Sequence, residues 1–487
     1  MRQPGVVGSV KQGNRQALGG GCADQRRAAY LHCTNRVSSL IQGLHTHPIQ
    51  AVGQAGLIND FNVAPLGVSA QGAGRCAVDV HGTALWHSAP ILNHTRAAMD
   101  TTIRIDSRFP QMGTTIFTVM SRLAADCGAI NLSQGFPDFQ AEPALFDAMH
   151  RYMLAGRNQY APMTGLPELR QAIVDKVADL YGAQFDVERE VTVTAGATQA
   201  IFTAIAAFVR PGDEVIVFEP VYDSYVPAIE TVGGTAVFAQ LRCPDYAPDW
   251  AQVAQLLTPR TRMIIVNSPH NPTGSLLTAV DLEKLAEIVR GTDIVLLSDE
   301  VYEHIVFDGE RHASLCASPE LAARSIVVSS FGKTYHITGW KIGYVVGPEA
   351  LMAEFRKVHQ FNVFTVHAPS QLALAEYMQT PSRHLELAAF YQEKRDSFRA
   401  LMAATPFELL PCRGTYFQLA RYGDFSDLPD REFAEWLTRD AGVAVIPVSA
   451  FNASGQDDKV VRFCFAKREE TLQEAADRLC KFFVKQC

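Results

Sequence analysis

Between residues 191 and 346 short, nearly continuous apolar runs alternate with stretches whose apolar residues recur every three or four positions. The runs at 191–194, 215–218, 263–266, 294–297, 326–329 and 342–346 are too short for helices and read as strands buried on both faces. Helical patterns such as 198–209 and 281–290 lie between them. This alternation predicts an α/β fold with a mainly parallel sheet covered by helices, in which ligands bind beyond the carboxyl ends of the strands.

On the N-terminal side, helices are predicted at 115–125 and 143–154 around the turn-rich segment NLSQGFPDF (131–139). A further amphipathic helix starts near Pro167, with Leu169, Ile173, Val177 and Leu180 on one face. After about residue 350 the pattern is helical, including one long stretch at 369–402. Strands then follow at 408–410, 415–419, 444–446 and 460–465, with a final helix at 469–483. This part reads as a second, smaller α/β domain.

Residues 1–98 show neither a helical nor a strand period. They carry eight Lys or Arg against three Asp and no Glu, a net +5, so the remainder of a chain of net charge -8 carries -13. The expectation is a disordered or spurious extension with Met99 as the native start. An acid-poor organellar targeting peptide and a DNA-binding head, for which no helix-turn-helix pattern is visible, are the alternatives.

For the whole chain of 487 residues, 47% hydrophobic and 19% charged content gives no general electrostatic case for a nucleic acid or an acidic membrane as partner. No apolar segment reaches the roughly 20 residues of a membrane span, and the N-terminus lacks the apolar core of a secretory signal, so a cytoplasmic location is expected. The ten cysteines are scattered without a CxxC pair or a close Cys/His cluster, which favours free thiols over disulfides or a metal site.

The predicted strand ends carry the candidate chemistry. Lys333 follows the apolar run 326–328 and a serine pair. A lysine at the end of a buried strand is partly desolvated, which favours the neutral amine that can form an imine with an aldehyde. A solvated loop lysine is the competing reading. Gly196, Ala197 and Thr198 open a helix after the strand 191–194, where backbone N–H groups can hold a phosphate. Small residues also serve tight turns, but Ser330 and Lys341 could add a hydroxyl and a cation to the same phosphate. Tyr222 could stack on a planar ring or cap the core. Asn271, in a loop stiffened by two prolines, could point a donor inward. Asp299 at a buried strand end needs a partner, either a protonated pyridine nitrogen or a structural salt bridge. Together with Tyr302 it could grip opposite sides of one ring. The set calls for a planar, phosphorylated, aldehyde-bearing pyridine.

SSFGKTYHITGWKIGY (329–344), NSPHNPTG (267–274), SDEVYEH (298–304), GATQA (196–200) and NQYAPMTG (158–165) together resemble the fold-type I, pyridoxal 5'-phosphate-dependent aminotransferases of class I. Within them the chain is most similar to the methionine aminotransferase and kynurenine/glutamine aminotransferase branch. The resemblance extends from about residue 103 to the C-terminus. It implies a segment 99–145 joining the small domain, a large cofactor-binding domain at 146–385 and a small domain at 386–487. It also implies a homodimer whose sites need both chains.

By position, the resemblance makes Lys333 the lysine linked to the cofactor, Asp299 the partner of the pyridine nitrogen, and Asn271 and Tyr302 the partners of the ring hydroxyl. Tyr222 is the stacking aromatic. Ala197, Thr198, Ser330 and Lys341 fall at phosphate-binding positions, Lys341 where many relatives carry arginine, and Tyr160 matches a tyrosine that reaches the neighbouring subunit's phosphate. Arg462, in VVRFCF (460–465), matches the arginine that grips the substrate α-carboxylate, and Gly135 a backbone contact to the same group. Ile116, Phe117, Tyr160 and Phe364 are candidate walls of an apolar substrate pocket. The implied activity is transamination of a methionine, aromatic, glutamine or kynurenine type of donor with a 2-oxo acid. A carbon-sulfur β-lyase on the same scaffold and, more remotely, a transcriptional regulator with an aminotransferase-like sensor are the rivals.

Overall fold

A computed structural model describes residues 106–110 and 112–484; the expectations for residues 1–98 lie outside the described residues. Its centre is a seven-stranded sheet of order β2-β8-β7-β6-β5-β3-β4. With the short β1 (Ile130–Asn131) preceding them, the strands are β2 (Val191–Thr194), β3 (Glu214–Glu219), β4 (Thr235–Gln240), β5 (Thr261–Asn267), β6 (Val295–Asp299), β7 (Ser325–Ser330) and β8 (Gly343–Val346). Only β8 runs against its neighbours, so the sheet is mainly parallel, as the pattern predicts. Apolar side chains leave both faces: Ile216, Ile264 and Leu296 enter one core, while Val215, Val217, Ile265 and Leu297 enter the other beneath the helix Ala197–Phe208.

A second, antiparallel sheet of order β12-β13-β10-β9 is built from β9 (Glu408–Leu409), β10 (Phe417–Arg421), β12 (Ile446–Pro447) and β13 (Val460–Cys464). The intervening β11 (Val443–Ala444) pairs in parallel with β1, which ties residues 130–131 to the C-terminal part of the chain. Among the described residues, no helix is long and apolar enough to cross a membrane.

Three elements differ from the pattern-based expectation. The strand β4 was not anticipated. It pairs only with β3 at the sheet edge and is mostly half-exposed, and half of its short apolar run at 236–239 is alanine, a weak strand signal. The long helix expected at 369–402 is three helices, Ala368–Tyr377, Ser382–Leu385 and Leu387–Met402. Pro381 explains the first break, because proline has no N–H to donate and disfavours helical geometry at Thr380. The expected strand 444–446 is split into β11 and β12.

Candidate active site

The carboxyl ends of β2, β3, β5, β6 and β7 surround one cavity. Gly196, Ala197, Thr198, Tyr222, Asn271, Asp299, Tyr302, Ser330, Lys333 and Lys341, all singled out from the sequence, line it together. Residues separated by up to 145 positions thus meet at the strand ends that the parallel sheet aligns.

Lys333 sits in the short helix Phe331–Thr334 that begins where β7 ends. Its Nζ donates to the Gly135 carbonyl at 3.0 Å and to the Tyr416 hydroxyl at 2.8 Å. The Tyr416 hydroxyl in turn donates to the Gly135 carbonyl at 2.6 Å. Burial pulls the Lys333 ammonium down to about 8, with Cys464 and Asp299 opposing and Arg462 and Lys341 assisting. At pH 7 about a tenth of the amine is therefore neutral, far more than for an ordinary lysine. Gly135 leaves no room for a side chain, since a Cβ there would come 2.8 Å from Phe417 Cζ. Gly135 therefore presents its carbonyl to Lys333 in this structure, alongside its expected contact with a substrate carboxylate.

Asp299 closes β6 and is 4% exposed. Its Oδ2 accepts from the Tyr225 hydroxyl at 2.6 Å and its Oδ1 from the Val301 N–H at 3.3 Å. Burial pushes the carboxyl up to about 6, against the Tyr225 hydrogen bond. No cationic side chain lies within salt-bridge distance of it among the described residues, so the structural salt bridge considered for this position is not formed. The buried acid lacks a counter-charge that a protonated ring nitrogen would provide. Burial likewise pushes the Tyr222 phenol up to about 12 and the Tyr302 phenol still further, keeping both as neutral donors.

The anion-binding corner is built from backbone conformation. Gly196, at φ +81°, precedes the helix Ala197–Phe208, whose first N–H groups have no acceptor inside the helix. Lys341 adopts φ +52°, unusual for a residue with a side chain, and a Cβ on Gly196 would come 3.5 Å from its Nζ. The strained lysine thus places its ammonium over a helix N-terminus, and Ser330 lines the same cavity.

Arg462, on β13, is 1% exposed and has no carboxylate partner among the described residues. It donates to Asn271 Oδ1 at 2.7 Å and to the Ser133 carbonyl at 3.1 Å, while its Nε has no partner. The rings of Phe417, Phe117 and Phe451 surround the guanidinium, at 3.9, 5.4 and 5.4 Å. A buried cation without a counter-ion is costly, and a ligand carboxylate would relieve that cost. Because Asn271 Oδ1 is engaged by Arg462, its Nδ2 is the donor left for the cavity it lines. Arg462→Met is expected to raise the KM of an amino-acid substrate about 100-fold, the size of a lost charge-assisted pair, with the smaller effect on kcat; steady-state kinetics checks this.

Tyr160 lies away from the cavity in this chain. It is 82% exposed and meets Phe364 edge-on at 5.4 Å. Phe364 is also exposed, so neither forms a wall of the substrate site within one chain. Phe117 packs near Arg462, and Ile116 lines an adjoining groove with Asp223. Sequence reasoning missed Tyr225, Tyr416 and Asn267. Tyr225 stands at the end of EPVYDSY (219–225), where a second aromatic three residues after Tyr222 was the available signal. Asn267 donates to the Asp299 carbonyl at 2.8 Å and accepts from the Asn271 N–H at 2.8 Å, locking two strand-end loops together.

An amine of lowered basicity, an uncompensated buried acid, a helix N-terminus with a cation, and an uncompensated arginine fit a phosphorylated ring with a basic nitrogen and an aldehyde, next to an amino-acid carboxylate. Comparison with known proteins agrees. Residues 128–479 match the family described as aminotransferase class I and II. The chain is 50% identical to the methionine aminotransferase of Escherichia coli strain K12 over 374 residues, covering 77% of this chain and 97% of that protein. It is 34% identical to kynurenine--oxoglutarate transaminase 1 of Rattus norvegicus over 406 residues, covering 75% and 95%. Among solved structures, YbdL of Escherichia coli, for which a methionine aminotransferase function has been identified, superposes with a TM-score of 0.77 at 49% identity, covering 78% of this chain and all of that one. This chain belongs to the class I and II aminotransferases, with the fold of the type I enzymes.

Proposed function

We propose that this aminotransferase carries pyridoxal 5'-phosphate in the cavity and transfers the amino group of an apolar amino acid, methionine foremost, to a 2-oxo acid. The observation that carries the reading is the Lys333 amine, held by Gly135 and Tyr416 in one cavity with an Asp299 that has no counter-charge. When bound, pyridoxal 5'-phosphate supplies an aldehyde for the substrate amine and a ring that withdraws electrons.

The protein's part is binding, orientation and proton movement. Gly196, Ala197, Thr198, Ser330 and Lys341 would hold the phosphate and Tyr222 would stack on the ring. Asp299 would pair with the ring nitrogen, while Asn271 and Tyr302 would donate to the ring oxygen. Arg462 fixes the substrate carboxylate and so presents Cα to Lys333. Lys333 Nζ would take the proton from Cα and deliver it to the carbon supplied by the aldehyde, a task suited to an amine titrating near 8. Tyr302 and Tyr416, with ring centres 5.6 and 5.5 Å from Nζ, confine that amine.

The choice of donor rests on the aromatic rings of Phe117, Phe417 and Phe451 around Arg462, since a thioether packs favourably against ring edges. It also rests on likeness to the methionine and kynurenine enzymes above. A panel of methionine, aromatic amino acids, glutamine, kynurenine and aspartate tests it. At least a tenfold higher kcat/KM for methionine than for aspartate is expected, and a preference for aspartate would overturn the assignment.

The same reading makes the enzyme a cytoplasmic homodimer. Its large domain comprises residues 146–385, and residues 99–145 join the small domain of residues 386–487. The exposed aromatics Tyr160, Phe361 and Phe364 support a second copy at that face, with Tyr160 reaching the partner's phosphate site. Light scattering should give twice the chain mass, and Phe361→Asp with Phe364→Asp should shift it to the monomer with loss of bound cofactor.

A further inference from the structure

Beneath the cavity lies a second cluster of titratable groups that neither lines the cavity nor enters the chemistry above. Its centre is Glu303, one residue after Tyr302, whose side chain is 2% exposed. Glu303 Oε1 accepts from Lys176 Nζ at 2.6 Å, from Ser329 Oγ at 2.5 Å and from the Tyr344 hydroxyl at 3.2 Å. Its Oε2 accepts from the Tyr181 hydroxyl at 2.6 Å. The side chain of Lys176 is 6% exposed; its Nζ also meets His304 Nε2 at 3.1 Å and lies 5.3 Å from the centre of the Tyr344 ring.

The four donors come from three separate elements. Ser329 precedes Ser330 on β7, Tyr344 lies on β8 just beyond Lys341, and Lys176 and Tyr181 belong to the helix Pro167–Tyr181. Burial pushes the Glu303 carboxyl up, but Lys176 and the hydroxyl donors outweigh it and hold the carboxyl well below the ordinary range. Burial and the neighbouring Lys176 keep His304 neutral, so it can accept from the ammonium. A buried charge pair is a poor source of net stability, because desolvation consumes most of the attraction. A fully satisfied network of this kind instead fixes one arrangement of the segments it joins.

We infer that Lys176 and Glu303 are positioning residues for the cofactor pocket: Glu303, held by Lys176 and bonded to Ser329 and Tyr344, pins the turn that carries Asp299 and Tyr302 to the strand ends that carry Ser330, Lys333 and Lys341. The inference rests on the proposal that the cavity holds pyridoxal 5'-phosphate. Loosening the pin leaves the pocket's side chains in place but spreads their positions, which costs affinity for a rigid ring gripped from several sides at once. Arg462, assigned above to the substrate carboxylate, is outside the network.

The test uses the full-length loaded enzyme and the variants Glu303→Gln and Lys176→Met. Retention of pyridoxal 5'-phosphate on dialysis against graded concentrations gives its dissociation constant, and steady-state kinetics at saturating cofactor gives kcat and KM for methionine. The expected result is at least a tenfold rise in the dissociation constant and a fall of about tenfold in kcat per loaded site, with KM within threefold of the parent. Variants that unfold more readily but bind cofactor and turn over like the parent would overturn the inference and leave the pair a structural one. If either single variant fails to fold, the double variant Lys176→Met with Glu303→Gln removes both charges and takes its place. It is expected to show the same weakened retention, and parent-like retention overturns the inference. A parent that holds no pyridoxal 5'-phosphate overturns the reading beneath it instead.

Discussion

Lys333→Ala is expected to lower turnover by at least about 10⁴-fold, because one amine serves both as attachment point and as the group that moves the Cα proton. The structure gives this amine no substitute. The other ammonium lining the cavity, Lys341, is held in a left-handed backbone conformation against the helix N-terminus at Gly196. Lys333 alone of the two is held at Gly135 and Tyr416, to which its Nζ donates. The variant should still bind pyridoxal 5'-phosphate through the phosphate corner and Asp299, but without the absorbance band of the lysine-linked cofactor. Absorbance spectra and single-turnover assays check both parts. Retention of the lysine-linked band in Lys333→Ala would refute the assignment.

Asp299→Asn carries the second largest effect and separates catalysis from stability. An amide cannot offset a protonated ring nitrogen, and loss of one such preorganised charge costs about 10²- to 10³-fold in kcat. The cofactor-free protein should respond in the opposite sense. The Asp299 carboxyl titrates near 6 in the folded state, against 3.8 for an ordinary aspartate. Below pH about 3 both states are mostly protonated and the carboxyl costs almost nothing. As pH rises to about 6 the unfolded chain ionises first, so the folded state binds more protons and loses stability. The loss levels off at about 3 kcal/mol above pH 7, from roughly 1.4 kcal/mol per unit. Asp299→Asn without cofactor should therefore be more stable than the parent above pH 7 and equal to it below pH about 3. Chemical denaturation at both pH values measures this. Equal stability at both would show that the acid is already compensated by the protein.

These two residues also show why the sequence disclosed most of the site. Asp299, Lys333 and Asn271 each follow an apolar run, and in a parallel sheet the ends of such runs converge without any long-range information. The six central strands were therefore legible from their β-branched, unbroken character. Contacts from outside that repeat were not. Tyr416 reaches Lys333 from the loop before β10, and nothing local marks it among the aromatic residues of its segment. Tyr225 could have been suspected from its spacing to Tyr222, yet its bond to Asp299 depends on how the helix Tyr225–Thr231 is set after β3. Lys176 lies on a helix whose periodicity reads as ordinary amphipathic structure, and only tertiary packing reveals that its ammonium is buried against Glu303. Tyr160 is the reverse case. Its motif was recognisable, but one chain alone leaves it facing solvent.

The rival lyase chemistry begins from the same Cα deprotonation and differs in where the electron pair goes, so the geometry of Lys333 serves either outcome. The side chain leaving as a sulfur compound would yield ammonia and a shortened oxo acid, whereas transfer keeps the nitrogen on the protein. Product analysis distinguishes them where turnover alone does not.

A single-turnover experiment with the loaded, full-length enzyme and L-methionine, in the absence of any oxo acid, is the most direct measurement. The account predicts one equivalent of the methionine 2-oxo acid per Lys333 site, no free ammonia, loss of the lysine-linked absorbance band, and its return when a second 2-oxo acid is added. Release of ammonia with a thiol, or no spectral change on adding methionine, would contradict it.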